Sequence, residues 1–184
     1  MPAVLSKVCF AGSSHLCRLT GELKRELQIG RSDTFTNISR GGWTAAELLT
    51  YVEHENFNSA HDIQNMILMV GGNDVDRANY PPEGQPGRHI KKICELLINQ
   101  NIRPWVIQIL PRRKINRSGI TKACYHRRAE NANRYLFRHV RPFLLRLPKL
   151  CNWEGSLGYD GIHIDDYHKE DICKRIVQQI KSRL

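Results

Sequence analysis

The chain has 184 residues, of which 41% are hydrophobic, enough to bury the core of one compact domain. Its 28 Lys and Arg residues outnumber its 18 Asp and Glu residues, and the formal net charge of +10 suits polyanionic partners or simply favours solubility. No apolar run approaches the ~20 residues of a membrane span, and the start of the chain lacks the charged and apolar segments of a signal peptide, so we expect neither.

The six cysteines are spread along the chain, and none of them forms a C-x-x-C pair: Cys9, Cys17, Cys94, Cys124, Cys151 and Cys173. The chain therefore lacks the cysteine spacing of a metal site. Without an export signal, we expect these thiols to be reduced and the protein to be intracellular, in the cytoplasm.

Short apolar runs alternate with longer amphipathic stretches along the chain, a pattern typical of a β/α fold. The predicted strands are Lys7–Gly12, Thr34–Ser39, Met66–Gly72, Pro104–Leu110 and Leu147–Trp153. The predicted helices are His15–Leu27, Thr44–Glu53, Pro86–Gln100, Lys122–Phe143 and Asp166–Arg183. Several strands are almost entirely apolar, as strands covered on both faces must be. Since no linker or internal repeat interrupts the pattern, we predict one α/β domain over residues 1–184.

Ligands of an open parallel sheet bind beyond the carboxyl ends of its strands, so the strand-to-helix turns are the places to search. The first turn is "GSSH" at Gly12–His15. A serine there can cap the following helix, or it can be a nucleophile aimed at the open edge of the sheet. The second turn contains Gly41 and Gly42, which either form a plain turn or expose a backbone N–H to a ligand.

The third turn is "VGGNDV", in which Asn73 offers an amide donor and Asp74 can fix the loop, although Asn-Asp turns are often only structural. The fourth stretch is "YDGIHIDDYH" near the end of the chain. Here Asp160 can hold the His163 imidazole in one tautomer while its other nitrogen acts as a base. Each of these signals is weak alone, because Asp, His and Gly are all common in loops.

Taken together, the turns supply a nucleophile, two oxyanion donors, an orienting acid and a base in chain order: Ser14, Gly42, Asn73, Asp160 and His163. All of them fall at predicted carboxyl ends of strands. The combination is what an acyl-transfer site needs.

The sequence resembles the SGNH hydrolases, also called GDSL esterases, in four blocks that follow the family's order. "FAGSSHLCRL" puts Ser14 at the nucleophile position, "SRGGWTAAEL" puts Gly42 at the oxyanion glycine, and "VGGND" puts Asn73 at the oxyanion asparagine. "DGIH" puts Asp160 and His163 at the remaining positions of the triad. One residue departs from the family pattern, because the usual Asp before the nucleophile is Ser13.

The resemblance implies a flavodoxin-like, three-layer α/β/α fold around a five-stranded parallel sheet. It also implies a serine esterase that hydrolyses carboxylic, acyl or acetyl, esters with a Ser-His-Asp triad and with no metal or organic cofactor. The backbone N–H of Ser14 would share the oxyanion hole with Gly42 and Asn73. More loosely, "QILPRRK" followed by "YHRRAENANRYL" is similar to the esterase-like domains of some non-LTR retrotransposon proteins.

Positive charge is concentrated in one segment: twelve Lys and Arg residues but one acidic residue, Glu130, lie between Arg112 and Lys149. This segment is either a solvated basic face or a site for an anionic substrate, an acidic lipid surface or nucleic acid. The residues that we assign to such a site follow the fourth predicted strand: Arg112, Arg113, Lys114 and Arg117. Two functions therefore remain: an esterase for small acyl esters or lipids, and a catalytically weak or silent mobile-element module that binds nucleic acid or anionic membranes.

Overall fold

A computed structural model describes residues 5–77, 85–115, 119–147 and 155–184 of the chain. The strands are β1 Val8–Gly12, β2 Phe35–Asn37, β3 Asn65–Met69, β4 Arg103–Ile107 and β5 Leu144–Leu145. The helices are α1 Ser14–Glu26, α2 Ala45–His54, α3 Phe57–His61, α4 Gly72–Val75, α5 Gln85–Asn99, α6 Lys122–His139 and α7 Asp166–Lys181. The strands form one parallel sheet in the order β2-β1-β3-β4-β5, which is the flavodoxin-like order.

Helices cover both faces of the sheet. Alternate residues of a strand point to opposite faces, and in β1 Val8 and Phe10 belong to one buried cluster whereas Cys9 and Ala11 belong to another. The first cluster contains the apolar faces of α1 and α7, and the second contains those of α2 and α5. The predicted three-layer α/β/α fold with a five-stranded parallel sheet is therefore confirmed.

The last strand and two short helices differ from the sequence prediction. The helix expected to reach Phe143 ends at His139, ahead of Pro142, and the chain then pairs with β4 as β5. The predicted strand Leu147–Trp153 is therefore wrong at Leu147, which lies outside any strand, and residues 148–154 are outside the described part of the chain. Helices α3 and α4 have five and four residues, too few to show the ~3.6-residue repeat of a helix.

Gly12 brings the end of β1 into close contact with β3. A Cβ at this position would lie 2.3 Å from the Met69 carbonyl oxygen, so the approach requires glycine. The next residue, Ser13, donates its backbone N–H to the same carbonyl at 2.9 Å, and Arg40 donates its backbone N–H to Gly12 at 2.8 Å. These bonds fix the start of α1 at the carboxyl edge of the sheet. These main-chain bonds also hold the turn at Ser13, the position at which the family pattern has an Asp side chain.

The described cysteines are free thiols: Cys9, Cys17, Cys94, Cys124 and Cys173. Cys151, for which a reduced thiol is also predicted, lies outside the described residues. Burial raises the pKa of the Cys9, Cys94 and Cys173 thiols to about 12. Among the described helices, none has the length and apolar character needed to cross a membrane.

Candidate active site

Ser14 is the first residue of α1, and its Oγ lies 2.8 Å from Nε2 of His163. Ser13 is the N-cap residue of the helix, with an extended backbone, but its side chain makes no capping hydrogen bond. The two neighbouring serines therefore differ in their surroundings. Ser13 is buried at 5% exposure, whereas the Ser14 hydroxyl faces an imidazole.

His163 is oriented by Asp160. The Nδ1 atom of His163 lies 2.6 Å from Oδ2 of Asp160, and because a carboxylate can only accept, Nδ1 carries the hydrogen. Nε2 then has a free lone pair that accepts the Ser14 hydroxyl hydrogen. The other carboxylate oxygen accepts the backbone N–H groups of Ile162 and His163 at 2.9 and 3.0 Å.

The charge of Asp160 is stabilised by these contacts. Partial desolvation acts to raise the pKa of Asp160, but the hydrogen bonds from the His163 ring and from the Ile162 and His163 backbones outweigh it and hold that pKa well below its ordinary value. Arg18 adds a more distant positive charge, with Nη1 3.7 Å from Oδ2. The carboxylate is therefore ionised at neutral pH and can stabilise an imidazolium.

The loop that carries Asp160 and His163 is held in a tight fold. Leu157 and Ile164 form an antiparallel bridge, and the Gly158 N–H donates to the His163 carbonyl at 2.8 Å. Gly161 has a φ of +65°, in the left-handed region that favours glycine. The geometry of the Asp-Gly-Ile-His segment is thus set by the main chain as well as by the side chains.

Arg113 and Lys114 fasten this loop to the segment after β4. Their backbone N–H groups donate to the Gly161 carbonyl at 2.7 and 3.0 Å. The Arg113 guanidinium donates to the Gly158 carbonyl at 2.9 Å, and the Lys114 ammonium donates to the Tyr159 carbonyl at 3.1 Å. Both side chains are exposed, so the loop contacts leave their charges at the surface. Their predicted role in binding anions remains a prediction, and Arg117 lies outside the described residues.

Asn73 and Gly42 lie in neighbouring turns beyond β3 and β2. Asn73 is in α4, and its Nδ2 donates to the carbonyl of Trp43, the residue after Gly42, at 3.0 Å. Gly42 is exposed and has a φ of +84°, again in the left-handed region. Asp74 joins the two turns by accepting the Ala45 N–H at 2.9 Å. Burial raises the pKa of the Asp74 carboxyl.

The location of the Arg112 side chain differs from the sequence prediction. The sequence predicts that Arg112 binds anions as part of the basic segment after the fourth strand, but its side chain is 4% exposed and its Nη1 lies 2.6 Å from Oδ2 of the equally buried Asp76. Nη2 donates to the amide oxygen of Asn73 at 3.0 Å. This prediction is wrong for Arg112, because its guanidinium forms a buried ion pair with Asp76 behind Asn73. Asp76 and Arg112 are 36 residues apart in the sequence, and no local sequence motif links them.

His15 also contributes to the site, although the sequence does not predict this role for it. It is 6% exposed, and its Nε2–H donates to the carbonyl of Ile162 at 2.9 Å. Burial, with the charges of Arg112 and His163, lowers the pKa of His15 to about 3. The ring is therefore neutral at ordinary pH and supports the loop that carries His163. Within the described residues, no group of three or more His, Cys, Asp or Glu side chains is arranged to hold a metal ion.

No family model matches this chain, and no curated protein sequence matches it. The lipase/acylhydrolase from Enterococcus faecalis has a similar structure, with 18% identity and a TM-score of 0.73 over 98% of this chain and 97% of that chain. A GDSL-like lipase from Bacteroides thetaiotaomicron VPI-5482 is 15% identical, with a TM-score of 0.72 over 96% of this chain and 88% of that chain. An acetyl xylan esterase is 18% identical, with a TM-score of 0.68 over 94% and 98% of the two chains. Over nearly its whole length, the chain has the fold of the GDSL, or SGNH, hydrolases.

Proposed function

We propose that the protein is a serine esterase that hydrolyses carboxylic esters, with Ser14 as nucleophile, His163 as general base and Asp160 as the orienting acid. One observation carries the proposal: an unbroken hydrogen-bonded chain runs from Ser14 Oγ through the His163 ring to the Asp160 carboxylate, with steps of 2.8 and 2.6 Å. The structural neighbours whose names include lipase, acylhydrolase and acetyl xylan esterase support acyl esters as the substrate class.

The reaction begins when Ser14 Oγ attacks the ester carbonyl carbon and its proton passes to Nε2 of His163. The carbonyl oxygen becomes an oxyanion, for which the donors are the backbone N–H groups of Ser14 and Gly42 and the side-chain amide of Asn73. A primary amide has two N–H hydrogens, so Asn73 can donate one to the Trp43 carbonyl and the other to the oxyanion.

The tetrahedral intermediate collapses by breaking the bond to the alcohol oxygen, which takes the proton from His163 and leaves as the free alcohol. A water molecule then attacks the acyl-Ser14 ester while His163 accepts one of its protons. Collapse of this second intermediate releases the carboxylic acid and returns the proton to the Ser14 oxygen. Asp160 stays ionised throughout and stabilises each imidazolium that forms.

A fluorophosphonate probe tests the proposal, because such probes react with an activated serine and remain attached. We expect one labelled site per chain, and peptide mass spectrometry should locate the adduct on Ser14 rather than Ser13. Denatured protein is the control and should not be labelled. An adduct on another serine, or no labelling together with no turnover of any aryl ester, would exclude the esterase.

A second candidate function is suggested by a surface groove of about 500 Å³ at the amino ends of β4 and β5, opposite the triad. Its lining, which we call the arginine groove, consists of Phe137, Arg141, Pro142, Leu144, Arg146 and Arg183. The guanidinium carbons of Arg141 and Arg146 lie 5.3 and 4.9 Å from the centre of the Phe137 ring. No described Asp or Glu forms an ion pair with the three arginines.

We propose that the arginine groove binds single-stranded nucleic acid. The guanidinium groups of Arg141 and Arg146 can contact phosphates, whereas that of Arg183 donates to the Pro142 and Leu144 carbonyls. Guanidinium and phenyl planes can also stack on bases. A concave groove is less suited to a membrane, which requires protruding apolar side chains. Arg141 and Arg146 are exposed and thus differ from the buried Arg112.

Replacement of both Arg141 and Arg146 by Gln is expected to weaken binding of a labelled single-stranded oligonucleotide and to lower the salt slope by about two. Ester hydrolysis should not change, because the groove is remote from Ser14. A charge-matched control replaces the exposed Arg88 and Arg127 by Gln. An equal loss of oligonucleotide binding in the control pair would show that binding depends on net charge and not on the groove. Binding of anionic vesicles without binding of the oligonucleotide would identify a lipid surface as the partner instead.

A further inference from the structure

We propose that Arg112 is a positioning residue that fixes the orientation of the Asn73 amide, so that the N–H end and not the oxygen end faces the oxyanion. The inference deepens the proposed esterase function and rests on it. Three contacts carry it: the amide nitrogen to the Trp43 carbonyl, the amide oxygen to the Arg112 guanidinium, and the guanidinium to Asp76.

The orientation follows from which atoms can donate. A guanidinium has N–H donors and no acceptor, so Arg112 can bind only the oxygen end of the amide. If the amide were rotated by half a turn, its NH₂ group would face these donors and its oxygen would face the Trp43 carbonyl oxygen. Both hydrogen bonds, at 3.0 Å each, would be lost together.

The orientation matters because the two ends of the amide have opposite effects on the reaction. The N–H end donates to an oxyanion and stabilises it, whereas the oxygen end would repel it. A hydrogen bond from a charged guanidinium also polarises the amide, which strengthens its N–H groups as donors. Arg112 therefore acts on the transition state through Asn73, without contacting the substrate.

The guanidinium is itself held rigidly. Asp76 binds it at 2.6 Å, and the Tyr125 ring lies under it with 5.3 Å between the guanidinium carbon and the ring centre. The Tyr125 hydroxyl donates to the Leu110 carbonyl at 3.0 Å, which fixes the ring. Gly72 leaves the space for the guanidinium, since a Cβ there would lie 3.2 Å from Nη2. A lysine in this position would retain the charge but not the forked geometry that binds Asp76 and Asn73 at once.

A double-mutant cycle with Arg112→Lys and Asn73→Ala tests the inference by kinetics. We expect Arg112→Lys to lower kcat by about tenfold to a hundredfold with little change in KM, a loss no larger than the ~10²–10³ caused by removing one oxyanion donor. In the Asn73→Ala background, Arg112→Lys should cause no further loss, since its effect passes through that amide. Arg134→Lys, an exposed arginine on α6, is the matched control and should leave kcat unchanged. Equal losses from Arg112→Lys in both backgrounds would overturn the inference.

A second readout does not depend on catalysis. The side-chain NH₂ of Asn73 gives two ¹⁵N–¹H signals, identified by their disappearance in Asn73→Ala. In the parent protein we expect them to be separated and protected from exchange, and in Arg112→Lys to shift and to exchange faster. Unchanged Asn73 signals in a folded Arg112→Lys protein would overturn the inference even if the parent is an active esterase. If the parent hydrolyses no ester, the proposed function fails, and these signals still decide whether Arg112 holds the amide.

Thermal unfolding of each variant separates positioning from loss of fold. Removing one partner of a buried ion pair leaves the other charge unpaired and destabilises the protein, whereas replacing both partners by apolar residues is often tolerated. If Arg112→Lys does not fold, the paired replacement Arg112→Met with Asp76→Leu removes both charges together. The cycle then combines this paired replacement with Asn73→Ala, and the Asn73 amide signals are measured in the paired replacement, with the same expected results.

Discussion

Replacement of Ser14 by alanine is expected to lower kcat/KM for a short-chain aryl ester by at least ~10³. The loss follows because the hydroxyl oxygen that forms the acyl-enzyme is removed, and no other hydroxyl lies within hydrogen-bond distance of His163 Nε2 among the described residues. His163→Ala should cause a nearly equal loss. The double variant should be little worse than either single variant, because a nucleophile and its base act as a unit.

Ser13→Ala is the matched control for Ser14→Ala. The two positions are adjacent, and both substitutions remove one hydroxyl at the start of α1. Ser13 contributes its backbone N–H to the Met69 carbonyl, and its hydroxyl makes no capping bond, so Ser13→Ala should retain substantial activity. Turnover by Ser14→Ala at the parental rate, with both variants folded, would show that Ser14 is not the nucleophile.

The central part of the fold could be predicted because its sequence signals are local. Buried parallel strands are continuous apolar runs, and glycine-containing turns mark where they end. The carboxyl ends of neighbouring strands meet at one edge of the sheet, so turns far apart in sequence could be expected to lie together. Thus Ser14 and His163, which are 149 residues apart, form a hydrogen bond.

The chain contains two Asp-x-x-His pairs, and their local structure does not distinguish them. Asp165 accepts from the His168 ring at 2.7 Å and from its backbone N–H at 2.9 Å, much as Asp160 does with His163. Among the described residues, only the Asp160–His163 pair has a serine hydroxyl on the far side of the imidazole. Spacing within "YDGIHIDDYH" predicts the Asp160–His163 pair, and the resemblance of "DGIH" to the family block supports the same pair.

The contacts behind the site could not be predicted, because they join side chains with no shared periodicity. Arg112 appears in the sequence as part of the run "RRK", which is typical of an exposed basic loop. Its partner Asp76 follows a different strand, and only the packing of these segments buries the ion pair. Likewise, β5 has two residues, so its place in the sheet depends on pairing with β4 rather than on a recognisable apolar run.

Asp160→Asn is expected to lower kcat by about 10⁴ while leaving the fold intact. The asparagine oxygen can still accept the backbone N–H groups of Ile162 and His163, but its NH₂ group would face Nδ1 of the imidazole. His163 would then carry its hydrogen on Nε2 and could not accept the Ser14 proton. Asp165→Asn is the matched control, since asparagine also caps a helix well, and it should retain activity.

The same substitution should change how stability depends on pH. The folded-state pKa of Asp160 is depressed, so its ionised form contributes stability that is fully present above the unfolded-state value of about 3.9 and is lost as the pH falls through the folded-state value. The difference in unfolding free energy between the parent and Asp160→Asn, measured by urea denaturation, should therefore be smaller near pH 3 than near pH 5. A difference that grows between pH 5 and pH 3 would contradict the depressed pKa. Retained activity in Asp160→Asn would instead show that catalysis needs neither the orientation of His163 by the carboxylate nor its negative charge.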